Sequence, residues 1–323
     1  MVLFQGARGA STISWVDGLP GGRRLLAFGE MHYNNGNGKD LLAYLRRVSK
    51  QNCVDVYLEK ARYWTWPSQL RQTGRGSDRP GLLQSMRWYA ESSTDQYNIR
   101  WHSIDVRDAT TSTGAYIPLD KLRAVFNSRE YFAFMTGETQ VLRDGDRSLG
   151  KMARAYQKII TRFAYKHVRA VRMRFEKQRK RFYRTLPALA RKRVRNQVRL
   201  WCGQEPDYTK VTDLFMFYRM FGTFDSKRKY GQCPQTQNTL VYIAGDKHVQ
   251  NLLELIRRIF GVSTSKRFGY EHEQLHRRLE TLPSATSTEF NETRRALQLD
   301  FSKRLDRDLR AYKKAHRRQT MFF

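Results

Sequence analysis

Apolar residues gather along this chain in two ways. Four short, nearly continuous runs lie at 24–29 (RLLAFG), 54–59 (VDVYLE), 99–106 (IRWHSIDV) and 239–245 (TLVYIAG). Runs of this kind read as strands buried on both faces, because half-exposed strands alternate instead. Elsewhere apolar positions recur every three to four residues. GKDLLAYLRRVSK (38–50) places Leu41, Leu42, Leu45 and Val48 on one helical face, and PGLLQSMRWYAES (80–92) does the same with Leu83, Met86 and Tyr89. KHVQNLLELIRRIFG follows the last run, with Gly261 as its stop. Strand and helix alternating at this spacing predict right-handed βαβ units, and so an α/β fold with a mostly parallel sheet flanked by helices.

The middle of the chain follows a different rule. From 149 to about 201 the apolar stripe is Met152, Tyr156, Ile159, Phe163, Val168, Val171 and Phe175, then Phe182, Leu186, Leu189, Val194, Val198 and Trp201. This predicts long amphipathic helices broken or kinked at Pro187, followed by a more buried helix over 209–221. The organisation is therefore an N-terminal half of the α/β core (1–148), a helical insertion (149–235), the rest of the core (236–270) and a basic helical tail (271–323).

Charge changes the picture of the insertion. The 323 residues carry a net +30, and residues 151–200 hold 18 Lys and Arg against one acid, Glu176. A field so lopsided favours a polyanionic partner, nucleic acid or an anionic membrane surface. No apolar run is long enough for a transmembrane segment, and the opening residues lack the basic and apolar regions of a secretory leader. Cys53, Cys202 and Cys233 are odd in number and in no CxxC spacing, so neither a disulfide framework nor a thiolate zinc site is expected, and an intracellular setting follows.

Candidate chemistry lies at the strand ends. The first run closes on Gly29-Glu30-Met31-His32 and the last on Gly245-Asp246-Lys247-His248. With seven His and 21 Gly in the whole chain, even one Gly-acid-x-His tetrad directly after an apolar run is uncommon. The second run ends at Glu59, and the third carries His102, Asp105 and Arg107. In an open parallel sheet, ligands bind beyond the carboxyl ends of the strands. Two chemistries suit such a rim. A carboxylate-oriented His takes a proton from water while Arg107 steadies an oxyanion. Or His32, His248 and Glu59 hold one divalent metal (Zn, Mn or Co) that activates water. Asp105, Asp246 and His102 would support the site from behind. Asp105 and Arg107 also share a strand face and form a candidate structural ion pair.

The strand running into G-E-x-H, the Glu after the second strand and the late G-x-x-H resemble the erythromycin-esterase, ChaN and TraB/Tiki superfamily. DVYLEKARY and WHSIDVRD further resemble uncharacterised members from large DNA viruses. The resemblance covers roughly 23–107 and 239–260. It implies an α/β core with helical insertions and a site made of Glu30, His32, Glu59 and His248, with Arg107 matching loosely. It also implies a hydrolase of an ester, amide or peptide, acting in the host cytoplasm or in a virion. The rival expectation is a non-catalytic basic scaffold that grips nucleic acid or an anionic surface through residues 151–200.

Overall fold

The computed structural model describes residues 10–30, 38–61, 82–92, 98–105, 162–204, 208–224, 233, 239–269 and 307. Its strands are β1 (Thr12–Leu19), β2 (Arg23–Glu30), β3 (Val54–Ala61), β4 (Ile99–Asp105), β5 (Thr239–Gly245) and β6 (Lys266–Gly269). Its helices, numbered over the described residues, are α1 (Lys39–Val48), α2 (Leu82–Ser92), α3 (Arg162–Thr185), α4 (Ala188–Gln204), α5 (Tyr208–Phe221) and α6 (Asp246–Phe260).

The strands form one six-stranded sheet in the order β4-β3-β5-β2-β1-β6. The four strands anticipated from the apolar runs make its parallel centre, with β3 beside β4 and β5, and β5 beside β2. The chain is therefore α/β, with a mostly parallel sheet between helices. Two strands were not anticipated. β1 is antiparallel to both β2 and β6 and extends the sheet beyond β2. Its sequence, TISWVDGL, mixes Ser, Thr and Asp among few apolar residues, and β6 is only KRFG. Pairing, rather than an apolar run, makes them strands.

Side chains alternate across the sheet. Leu26, Phe28, Val54, Val56, Leu58, Val241 and Ile243 pack with α1 and α2 through Leu41, Leu45, Leu82, Leu83 and Met86. Leu25, Ala27, Tyr57, Ile104, Leu240, Tyr242 and Ala244 face the other way, onto α3–α6. The basic helices α3 and α4 add an outer layer to this side of the core, with Phe175, Phe182, Val194, Val198 and Trp201 all buried. Their apolar stripe packs on α5 and α6, and most of their described arginines are exposed. Leu189 departs from the expected stripe at 95% exposure, because it sits in the first turn after the Pro187 elbow and that turn has left the core. The elbow is where expected: α3 ends at Thr185, and the Pro187 carbonyl accepts the first N–H groups of α4. α6 stops at Gly261 (φ 71°), whose N–H bonds to the Arg257 carbonyl in a left-handed cap.

The cysteine expectation is corrected. Cys53 and Cys233 form a disulfide with a Cα–Cα distance of 5.6 Å, while Cys202 is buried and outside any disulfide. Cys53 directly precedes β3, Cys233 lies a few residues before β5, and those strands are parallel neighbours. Their entrances therefore meet, which spacing along the chain does not reveal. The argument from unpaired thiols to an intracellular setting loses its basis. Among the described residues, no helix is long and apolar enough to cross a membrane.

Candidate functional site

The centre of the site is His248, on the first turns of α6. Its Nε2 lies 3.1 Å from Glu59 Oε1 and its Nδ1 lies 2.5 Å from Asp213 Oδ1. Glu59 closes the inward-facing series Asp55, Tyr57, Glu59 of β3, and Asp213 projects from α5 beneath it. The neighbouring groups fix both carboxylates. The Gly245 N–H donates to Glu59 Oε2 at 2.8 Å, and Asn251 Nδ2 donates to Asp213 Oδ2 at 2.6 Å. All of these side chains are buried. Burial alone would lower the His248 pKa, but the Asp213 and Glu59 carboxylates outweigh it and raise the pKa to about 10. Both ring nitrogens therefore carry protons at neutral pH, each donated to a carboxylate.

A second buried group lies on the same face of the sheet, around Asp55. Arg100 grips Asp55 with Nε at 2.8 Å and Nη2 at 2.6 Å, and His102 Nε2 lies 2.7 Å from Asp55 Oδ1. Arg219, from α5, reaches His102 Nδ1 at 3.0 Å. The His102 ring is stacked between Tyr57 and Phe224. Burial, aided by Arg219 and Arg100, lowers its pKa to about 4 against the pull of Asp55. This histidine is neutral: Nε2–H donates to Asp55, and Nδ1 accepts from Arg219. One helix, α5, thus supplies Asp213 to a charged histidine and Arg219 to a neutral one.

The expected residues are distributed as follows. Glu59 and His248 come together. Glu30 does not join them: its register puts it on the α2 side of the sheet, where its Oε2 accepts the Leu83 N–H at 2.8 Å at the start of α2. Its place in the working set is corrected to a helix-end role, because one strand cannot send Glu30 to the face opposite Phe28. Asp246 accepts from Thr12 Oγ1 at 2.5 Å, across the end of β2. That pair explains Gly29, since a Cβ there would collide with Asp246 Oδ1 and Thr12 Oγ1. The first glycine of the motif thus serves packing. His102 belongs to the Asp55 group instead of supporting His248. Asp105 closes β4, and its side chain lies outside what the structure describes. His32 and Arg107 also lie outside the described residues, as do 149–161 and the tail helix at 288–320. The register fixes the frame they leave from: Glu30 pairs with Gly245, so the carboxyl ends of β2 and β5 adjoin.

Of the expected ligand set of His32, His248 and Glu59, the structure describes His248 and Glu59. Both His248 ring nitrogens face carboxylates, Nε2 facing Glu59 and Nδ1 facing Asp213. Among the described residues, no group of three or more His, Cys, Asp or Glu side chains is arranged to hold a metal ion.

Asp213, Asp55, Arg100 and Arg219 were missed from the sequence. Each sits inside an apolar stretch, as in VTDLFMFYRMF and VDVYLE. A charge in such a stretch must be paired when the element is buried, and that is the signal that would have found them. No protein-family model matches the chain, and neither a curated protein nor a solved structure matches it.

Proposed function

We propose that the protein is a hydrolase of esters or amides, of the kind its motifs resemble in the erythromycin-esterase, ChaN and TraB/Tiki superfamily. The observation that carries this reading is the Glu59–His248–Asp213 contact at the carboxyl ends of neighbouring parallel strands, the place where open α/β sheets bind ligands.

The geometry supports one order of roles. His248 is already protonated, so it is the acid and the positioning cation rather than the base. Glu59, fixed by His248 and the Gly245 N–H, is the base. Its carboxylate takes a proton from water as the water oxygen adds to the substrate carbonyl carbon, and the carbonyl electrons move to oxygen. When the tetrahedral species collapses, the bond to the leaving group breaks. His248 gives its Nε2 proton to that group and recovers one from Glu59. Asp213 keeps the ring oriented and stabilises its charge throughout. His32, two residues past β2, and Arg107, two past β4, leave strands that share this rim and are the remaining candidates to hold the carbonyl oxygen.

The test is hydrolysis of a panel of activated esters and peptide amides, with and without Zn, Mn or Co. Wild type is compared with Glu59→Gln and His32→Ala. General-base loss predicts a drop of about 10²–10⁴-fold for Glu59→Gln. Equal activity in wild type and Glu59→Gln, or no turnover by wild type on any member, rejects the proposal.

A further inference from the structure

Away from the sheet, α3 and α4 meet at the Pro187 elbow and frame an open cleft of about 530 Å³. Arg179, Lys180 and Arg184 line it from α3, and Arg191, Arg195 and Arg199 from α4. No carboxylate is among its described lining residues. Five of the six cations are exposed to solvent. Holding so many like charges together costs stability, which an anion would return.

We propose that this cleft binds the phosphodiester backbone of a single-stranded nucleic acid. Three features favour that ligand over a lipid surface. The site is concave, whereas a bilayer presents a broad, flat face. Five of the six cations are arginines, whose planar fork engages phosphate oxygens in pairs. Arg191, Arg195 and Arg199 lie four residues apart, so α4 offers a ladder of guanidinium groups rising about 6 Å per step. Tyr183 also lines the cleft, and the Arg195 guanidinium sits 5.5 Å from its ring centroid, which holds that side chain towards the opening. Arg191 is held at the elbow, its Nε donating to the Leu186 carbonyl at 3.1 Å. The cleft volume is that of a small-molecule pocket, enough for a short stretch of one strand and too small for a duplex. Its described lining is cationic apart from Tyr183, which suits a phosphate backbone whatever the base sequence. This site stands apart from the Glu59–His248 centre and does not depend on hydrolysis.

The experiment uses the full chain, labelled single-stranded oligonucleotides and their duplexes, and phosphatidylserine vesicles, across a salt series. Wild type is compared with R191A/R195A/R199A and with K192A/R193A/R257A. The second triple removes the same charge from exposed positions outside the cleft. The expected result is single-strand binding that the cleft triple weakens about tenfold or more near 0.15 M salt. Its salt slope should fall by about 2, from three lost phosphate contacts at about 0.7 each. The control triple should weaken binding far less. A third variant, R191K/R195K/R199K, keeps the charge and should keep the slope while losing affinity. Equal losses in the two alanine triples, binding to vesicles alone, or no binding by wild type would overturn the proposal.

Discussion

Glu59 and His248 come from distant parts of the chain, yet Glu59 Oε1 lies 3.1 Å from His248 Nε2. Parallel pairing of β3 with β5 creates that contact, because α6 begins directly where β5 ends. His248 sits between two buried carboxylates, so removing it leaves like charges facing each other without compensation. His248→Ala is expected to lose about 3–5 kcal/mol of unfolding free energy in urea titration, the scale for a broken buried ion pair. Asp213→Asn should cost less, since Glu59 still neutralises the ring.

The two buried histidines give stability opposite dependences on pH. The His248 pKa is raised from 6.5 to about 10, so its contribution is complete below pH 6.5 and is lost as pH rises towards 10. The His102 pKa is lowered to about 4, so the folded state resists protonation there, and stability is lost as pH falls from 6.5 towards 4. Thermal midpoints measured from pH 4 to 10 should therefore peak near neutrality. His102→Gln should flatten the acid limb and leave the alkaline limb in place.

Gly29 is a packing residue. A methyl group there meets the bonded Thr12–Asp246 pair and cannot be accommodated unless β1 or α6 shifts. Gly29→Ala is expected to cost about 1–3 kcal/mol, the usual penalty of overpacking. The double variant Gly29→Ala with Thr12→Ala should recover part of that loss, as chemical denaturation would show.

The disulfide closes a loop of 180 residues between Cys53 and Cys233. Cys53→Ser is expected to cost about 2–4 kcal/mol, mostly by freeing the unfolded chain. Adding a reductant to wild type should lower the thermal midpoint to that of the variant, and leave the variant itself unchanged.

The parallel centre of the sheet was legible because doubly buried strands are continuous apolar runs, and VDVYLE and TLVYIAG say so directly. The pairing of Glu59 with His248 was legible as two strand ends on one rim. β1 and β6 were not, since KRFG gains its strand character from β1 alone. Asp213 and Arg219 were hidden for another reason. Helix α5 looks like a plain apolar helix, and Asp213 and Arg219 acquire meaning only when β3, β4 and α6 supply Glu59, His102 and His248. Glu30 shows the converse error. The motif lettering groups it with His248, but strand alternation sends it to the opposite face, onto α2.

The proposed chemistry turns on the charge state of His248 between Glu59 and Asp213. Nitrogen NMR of the imidazole side chains, followed from pH 6 to 10.5, reads it directly. The expected result is one histidine with both ring nitrogens protonated through pH 8, titrating near pH 10, and absent from His248→Gln. A His248 signal already neutral at pH 7 would contradict the clamp, and with it the assignment of Glu59 as the base.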